Sequence, residues 1–256
     1  MSASPHAASV PNEAQARARV DLAACHRLAA HFGYHEGIDN HMTMLVPGFN
    51  DRFYLAPFGL LWSEVKASDL LEVDFTGRLV AGRGLVEPTA LHIHLPVHRL
   101  VPQARCVLHT HMPCATALGM LEGVRLETAS QSAIAFHDDI AYVDYNGLAL
   151  DYAEGERMAR SMGGKSVAML RNHGVLVTAA SAAEAFERLY FLERACQVQL
   201  LALSSGQRLG VLPEPLVRAT LAQFAGCGRV GGEDRSQLHF EALKRFLDRN
   251  GSDYAS

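Results

Sequence analysis

The sequence predicts a single α/β domain organised on a mixed β-sheet, and three observations point there. Stretches with apolar residues at helical spacing alternate with short apolar runs of strand length. Several of those runs are separated by turns of only a few residues, which join antiparallel strands, while others flank a helix. At 256 residues the chain is long enough to close one substantial core around such a sheet.

The elements follow in order. Residues 1–13 begin Ala-, Ser- and Pro-rich, without the charged and apolar segments of a signal peptide, and are expected to form a disordered tail. From Ala14 to Phe32, apolar Val20, Leu22, Ala23, Leu28 and Ala29 are interleaved with Arg17, Arg19 and Arg27, an amphipathic helix stopped by Gly33. Gly37 to His41 leads into a strand over Met42 to Val46. Pro47-Gly48 turns the chain, and Arg52 to Ala56 returns it. Pro57-Phe58-Gly59 is a further turn. Leu70 to Val73 and Arg78 to Ala81 make a hairpin about Asp74 to Gly77.

Glu87-Pro88 opens a helix reaching Leu100, because proline's missing N–H costs nothing at the first helical position; Pro96 is a local irregularity within it. A strand from Arg105 carries Cys106-Val107-Leu108-His109-Thr110-His111, and Met112 to Leu121 is helical. Leu126 to Asp144 reads as loops and short strands, with Ile140 to Val143 the clearest. Tyr152 to Met162 is a helix ending at Gly163-Gly164, and Ser166 to Leu170 is a buried strand. Val175 to Thr178 is another strand, and Ser181-Ala-Ala-Glu184 reads as a capping box opening a long helix to Ser205. Past Pro213-Glu214-Pro215, helices are expected over Leu216 to Phe224 and Gln237 to Leu247. The expected organisation is one domain over residues 14–210, with 211–256 a helical extension packing on it.

Composition excludes several function classes. A net charge of −4 with no basic run argues against a nucleic-acid partner, and no apolar stretch reaches membrane-spanning length. The five cysteines are an odd number at unmatched spacings and read as reduced thiols in the cytoplasm, with Cys106 a small hydrophobe of the core.

The chemistry concentrates in the histidines. His109 and His111, two apart at the end of a strand, share one of its faces, while Thr110 turns to the other. Arg171-Asn172-His173-Gly174 offers a third imidazole just before the next strand. Two imidazoles on one strand face plus a remote third is the ligand set of an open, catalytic divalent-metal site. Imidazole suits zinc, with manganese, iron or cobalt as alternatives. His94 and His98, four apart on the helix after Glu87, can share a side, a spacing common without metal.

The order of these pieces resembles the class II aldolase/adducin superfamily. The resemblance spans Ala14 to Gln207. It rests on Asn40-His41-Met42-Thr43, the Pro57-Phe58-Gly59 turn, Ser68 through Gly77, Leu91-His92, the Val107-to-His111 strand, and the Asn172-His173-Gly174 turn. It implies a three-layer αβα sandwich with a central mixed, largely antiparallel sheet, assembled as a homotetramer with its site near a subunit boundary. It also implies that His109, His111 and His173 hold the divalent ion, commonly zinc. Asn40, His41, Gly59 and His92 are then the expected substrate-binding positions, with Asn40 and His41 either binding a substrate carboxylate or closing a turn. The family's glutamate acid/base falls in the region of Gly84-Leu85-Val86-Glu87, which makes Glu87 the expected catalytic residue. Counting back from Leu91-His92 puts Pro88 at that position, so Glu87 requires one extra residue.

Two departures narrow the expectation. Where the family's phosphate pocket offers two serines, this chain has Leu85 and Val86, which cannot donate hydrogen bonds to a phosphate dianion. The tyrosine that some family aldolases use as a proton donor has no counterpart in Thr128 to Ser132; Tyr142 and Tyr145 lie nearby without a role. The reading is therefore a metal-dependent lyase of the aldolase or decarboxylase type. It would act on a small, non-phosphorylated hydroxy- or keto-carboxylate through a metal-stabilised enediolate. The competing readings are an adducin-like interaction module without chemistry, and another three-histidine metal enzyme such as a hydratase.

Overall fold

The computed structural model describes residues 12–256. The expected N-terminal tail thus falls outside the described residues up to residue 11, while Asn12 caps the first helix and Glu13 opens it. In that helix, α1 (Glu13–Phe32), Asn12 and Gln15 exchange side-chain-to-backbone hydrogen bonds of 3.0 and 3.1 Å, and Gly33 closes it at φ 71°.

The chain continues through β1 (His41–Leu45), β2 (Arg52–Leu55), a 3₁₀ turn at Ala67–Asp69, β3 (Leu71–Asp74), β4 (Leu79–Ala81) and α2 (Pro88–Leu100). Next come β5 (Cys106–Thr110), α3 (Pro113–Met120), α4 (Gln131–Ile134), β6 (Ile140–Val143), α5 (Tyr152–Met162), β7 (Val167–Leu170), β8 (Gly174–Ala179) and α6 (Ala182–Leu203). The chain ends with α7 (Glu214–Gly226), a two-residue hairpin of β9 (Arg229–Val230) and β10 (Glu233–Asp234), and α8 (Arg235–Arg249).

The first eight strands form one sheet in the order β4-β3-β2-β1-β5-β8-β7-β6. Every neighbouring pair is antiparallel except β6 with β7, so the sheet is mixed and largely antiparallel, as the turn lengths predict. The alternation along each strand sorts side chains onto two faces. Cys106, Leu108, Val167, Met169, Val175 and Val177 pack under α1, α3 and α6. Their neighbours Val107, Ala168, Leu170 and Leu176 pack under α2 and α5 with Ile93, Val97, Met158 and Met162. Helix–sheet–helix layering follows from that sorting.

The structure departs from the sequence reading in several places. The capping box expected at Ser181 is half formed: Ser181 accepts from the Glu184 N–H, but the Glu184 carboxylate takes the Ala180 N–H instead. Helix α2 runs straight through Pro96. The ring has no N–H to offer the His92 carbonyl, and α5 exploits the freed oxygen by laying Gly155 against it so closely that a Cβ there would collide with it. Helix α4 and the β9–β10 hairpin have no clear sequence signature. Helix α8 lies on α1 and α6, with Phe240 beside Phe186 and Lys244 bonded to Asp21 at 2.9 Å. All five cysteines are free thiols.

Candidate metal centre

Strand β5 occupies the middle of the sheet, with β1 on one side and β8 on the other; His109 stands opposite His41 across one seam and Leu176 across the other. His109 and Val107 share the face toward α2, and His111 follows one residue past the strand end. The third imidazole comes from the turn joining β7 to β8. Asn172 adopts the left-handed conformation there (φ 57°), which its short polar side chain tolerates, and this turns the chain back so that His173 precedes β8.

The three rings meet edge to face, with centroids 5.1 Å (His109–His111), 4.8 Å (His109–His173) and 4.9 Å (His111–His173) apart. One nitrogen of each lies within 4.8 Å of the others. Gly174 makes this approach possible: a Cβ on it would stand 2.5 Å from the Thr110 carbonyl oxygen and 2.7 Å from His111 Cδ2.

Hydrogen bonding decides which nitrogens are free. His109 Nδ1 donates to the Val175 carbonyl at 2.9 Å, leaving Nε2 with the lone pair. His111 Nδ1 is bonded to the Glu36 carboxylate at 2.5 Å, and its Nε2 is a buried nitrogen without a hydrogen-bond partner among the described residues. Burial, reinforced by the neighbouring histidines, pushes His109 well below the usual imidazole range; burial and then His111 bring His173 down to about 4. Neutral His109 and His173, with His109 oriented by a carbonyl and His111 by a carboxylate, make a donor set that a divalent transition metal takes. The site fits such an ion.

Around this triangle the expected positions separate. His41 is buried, with its ring 4.8 Å from that of His109. Asn40 accepts the Glu36 N–H at 2.8 Å, so it shapes the loop that brings Glu36 to His111; its own Nδ2 is buried without a partner among the described residues. Glu87 caps α2: its carboxylate accepts from the Thr89 N–H (3.0 Å), the Thr89 hydroxyl (2.6 Å) and the Ala90 N–H (2.5 Å), while Oε2 stands 4.0 Å from His41 Nε2. Leu85 is 70% exposed and Val86 packs against the Leu45–Phe53–Leu71 core, so neither side chain closes over Glu87. Gly59, at φ 102°, lies in open space beside the Phe58–Leu85 bridge.

His92 is not brought to the triangle. Its Nδ1 bonds to the Ala149 carbonyl at 3.1 Å and its ring packs edge-on to Tyr152, toward α5. The α2 residue that reaches the site's edge is His94, two positions on, whose Nε2 is 2.7 Å from His41 Nδ1. Tyr142 is tied to the Leu126 N–H, whereas Tyr145, half exposed, lies edge-on to His173 with centroids 6.3 Å apart. Glu36, Thr43 and His94 were missed by sequence reasoning. Thr43 left a trace only as the last residue of the Asn40-to-Thr43 stretch, His94 only through its spacing to His98, and Glu36 none. A larger cavity of about 420 Å³ between α4, α6 and the β10–α8 junction contains none of these histidines.

A central mixed sheet carrying a three-histidine site at a strand end and a turn defines a class II aldolase fold. The chain belongs to the class II aldolase and adducin N-terminal domain family, whose model matches residues 20–200. It is 36% identical over 247 residues to a protein of Caulobacter vibrioides whose name assigns it provisionally to the class 2 aldolases, covering 95% of this chain and 94% of the relative. It is 34% identical over 250 residues to mouse alpha-adducin, covering 91% of this chain but only 33% of that much longer protein. Among solved structures, an aldolase II superfamily protein from Pseudomonas syringae superposes with a TM-score of 0.87 at 35% identity, covering 96% of this chain and 97% of the other. L-fuculose 1-phosphate aldolase from Glaciozyma antarctica superposes at 0.81 with 24% identity, covering 98% and 96%, a likeness of fold alone.

Proposed function

We propose that this chain is a divalent-metal-dependent lyase, with His109, His111 and His173 as ligands, acting on a small hydroxy- or keto-carboxylate without a phosphate. The observation that carries the reading is the free nitrogen of His111: a buried Nε2 with no hydrogen-bond partner among the described residues, within 4.8 Å of a ring nitrogen of His109 and of His173. Leaving a buried polar atom unsatisfied costs about 1–3 kcal/mol, and an ion shared with its neighbours removes that cost. Zinc suits three imidazoles best. Bound there, it would supply positive charge to a developing enolate oxygen.

The protein's own groups complete the arrangement. Asn40 Nδ2 is a donor for a substrate carboxylate, and Gly59 leaves the backbone open to an approaching ligand. Glu87, held in place by its cap, is the carboxylate for proton transfer. The Glu87 carboxylate, itself an acceptor at the site's edge, disfavours a phosphate dianion there, and neither Leu85, which is exposed, nor Val86, packed in the neighbouring core, supplies a donor to offset it. Exposed Tyr145, Leu148 and Leu150 follow the strand beside His173, and a neighbouring copy would cover them, consistent with a homo-oligomer.

The identity to alpha-adducin favours one other reading, an interaction module that kept the fold and lost the chemistry. Metal analysis separates the two. The lyase reading expects one divalent ion per chain, lost in His109→Ala, and solvent-deuterium exchange beside the carbonyl of a turned-over keto acid. No bound ion, and no stabilisation on adding one, would leave the interaction module standing.

A further inference from the structure

Behind the metal triangle, four buried side chains join in one line. His98 Nδ1 contacts the Ala104 carbonyl at 2.5 Å; His98 Nε2 contacts Thr43 Oγ1 at 2.8 Å; Thr43 Oγ1 contacts His94 Nδ1 at 2.5 Å; and His94 Nε2 contacts His41 Nδ1 at 2.7 Å. Thr43 and His94 are fully buried, and His41 and His98 are 8% exposed. The line begins at a backbone carbonyl and ends at His41, whose ring is tilted 34° to that of His109 with centroids 4.8 Å apart.

Its direction is forced. A carbonyl oxygen only accepts, so His98 carries its proton on Nδ1. Burial brings His98 down to about 4 and holds His94 well below the usual imidazole range, so both rings are neutral. Neutral His98 has a bare Nε2, and Thr43 must donate its one hydroxyl proton there. Thr43 then accepts from His94 Nδ1. Neutral His94 accepts at Nε2 from His41 Nδ1. One fixed carbonyl therefore sets every proton along the line.

We propose that His98, Thr43 and His94 are positioning residues that lock His41 with its proton on Nδ1, presenting a bare Nε2 at the site's edge as an acceptor for a substrate hydroxyl. Nε2 has no hydrogen-bond partner among the described residues, and the Glu87 carboxylate, itself an acceptor, stands 4.0 Å away. Two acceptors facing each other call for a donor between them. A carboxylate or phosphate oxygen cannot supply one; a hydroxyl can. His41 is thus a selector for the hydroxyl of a hydroxy acid, not a carboxylate anchor. The relay stands on its own geometry. The hydroxyl's role in turnover rests on the lyase reading.

The test is ¹⁵N solid-state NMR of histidine-labelled protein, metal-free and zinc-loaded, with His41→Asn assigning the resonance. The expected result is Nδ1–H with bare Nε2 at His41, His94 and His98. A proton on Nε2 of His41 overturns the relay whatever the metal analysis shows. In Thr43→Val the His41 Nδ1–H form falls from dominant to minor, and Thr43→Ser restores it. An unchanged tautomer in folded Thr43→Val also overturns the relay, and the wild-type spectrum decides if that variant does not fold. With the zinc-loaded protein, glycolate and lactate shift the His41 Nε2 resonance, while acetate and propionate do not. Equal shifts, or none, overturn the selector role and leave the relay intact. Failure to bind zinc overturns the lyase reading alone.

Discussion

Removing the Glu36 side chain tests how the metal triangle is held. Glu36 donates nothing to the ion; its carboxylate orients His111 through the 2.5 Å contact with Nδ1 and makes the opposite nitrogen more basic. Losing such an outer partner typically lowers metal affinity 10- to 100-fold. Here the Glu36 side chain is 71% exposed, so water screens much of its charge, and the effect belongs at the lower end. Glu36→Ala loses both orientation and charge and is expected to weaken zinc binding about 10-fold, or roughly 1.4 kcal/mol. Glu36→Gln keeps an acceptor oxygen and loses only the charge, and should cost about 2- to 3-fold by the same screening argument. Competition against a chromophoric chelator at fixed pH and ionic strength reads both. Wild-type affinity in Glu36→Ala would refute the orienting role, and a glutamine variant as weak as the alanine variant would show that charge, not geometry, is what matters.

Other perturbations separate the remaining parts. Gly174→Ala forces a methyl into the 2.5 and 2.7 Å gaps at Thr110 and His111; it should cost about 1–3 kcal/mol of stability and weaken metal binding, read by denaturant unfolding and chelator competition. Glu87→Gln is expected to keep the metal and lose turnover, while Glu87→Ala also loses the α2 cap, about 1 kcal/mol; full activity in the glutamine variant removes Glu87 from the mechanism. Stability should fall with acid. His26 and His98 are held near 4 by burial against 6.5 for an ordinary imidazole, so below pH 6.5 the unfolded chain takes up protons that the fold refuses. Their contribution is complete above pH 6.5 and is lost as the pH falls toward 4, on the order of 3 kcal/mol for each ring. Equal melting temperatures at pH 7.5 and 5 would contradict this.

The sheet was legible because its signals are local: strand runs, Pro-Gly and Asp-to-Gly turns, and a Glu-Pro helix start each act within a few residues. The His109–His111 pair was legible for the same reason, since a two-residue spacing maps onto one strand face. Residues whose roles depend on register or helix phase were not. His92 and His94 differ by two positions on one helix, roughly 200° of rotation, and only the packing of α2 over β1 decides that His94 turns inward. Leu85 and Val86 were expected to wall the site, but the Phe58–Leu85 bridge turns one outward and the neighbouring core takes the other. Glu36 reaches His111 across 75 residues, through a loop set by Asn40, a contact that no periodicity encodes.

The turn that carries His173 has a mechanical consequence. Its reversal depends on one left-handed residue, Asn172, and the other two ligands come from β5, His109 within it and His111 just past its end. A shared ion would therefore act as a clasp, pinning the tip of the β7–β8 hairpin to the end of β5 just beyond Thr110 and Val175, where the pairing of β5 with β8 stops. Amide exchange at residues 171–174 should then slow when the clasp closes, making the hairpin tip a built-in reporter of occupancy that needs no substrate.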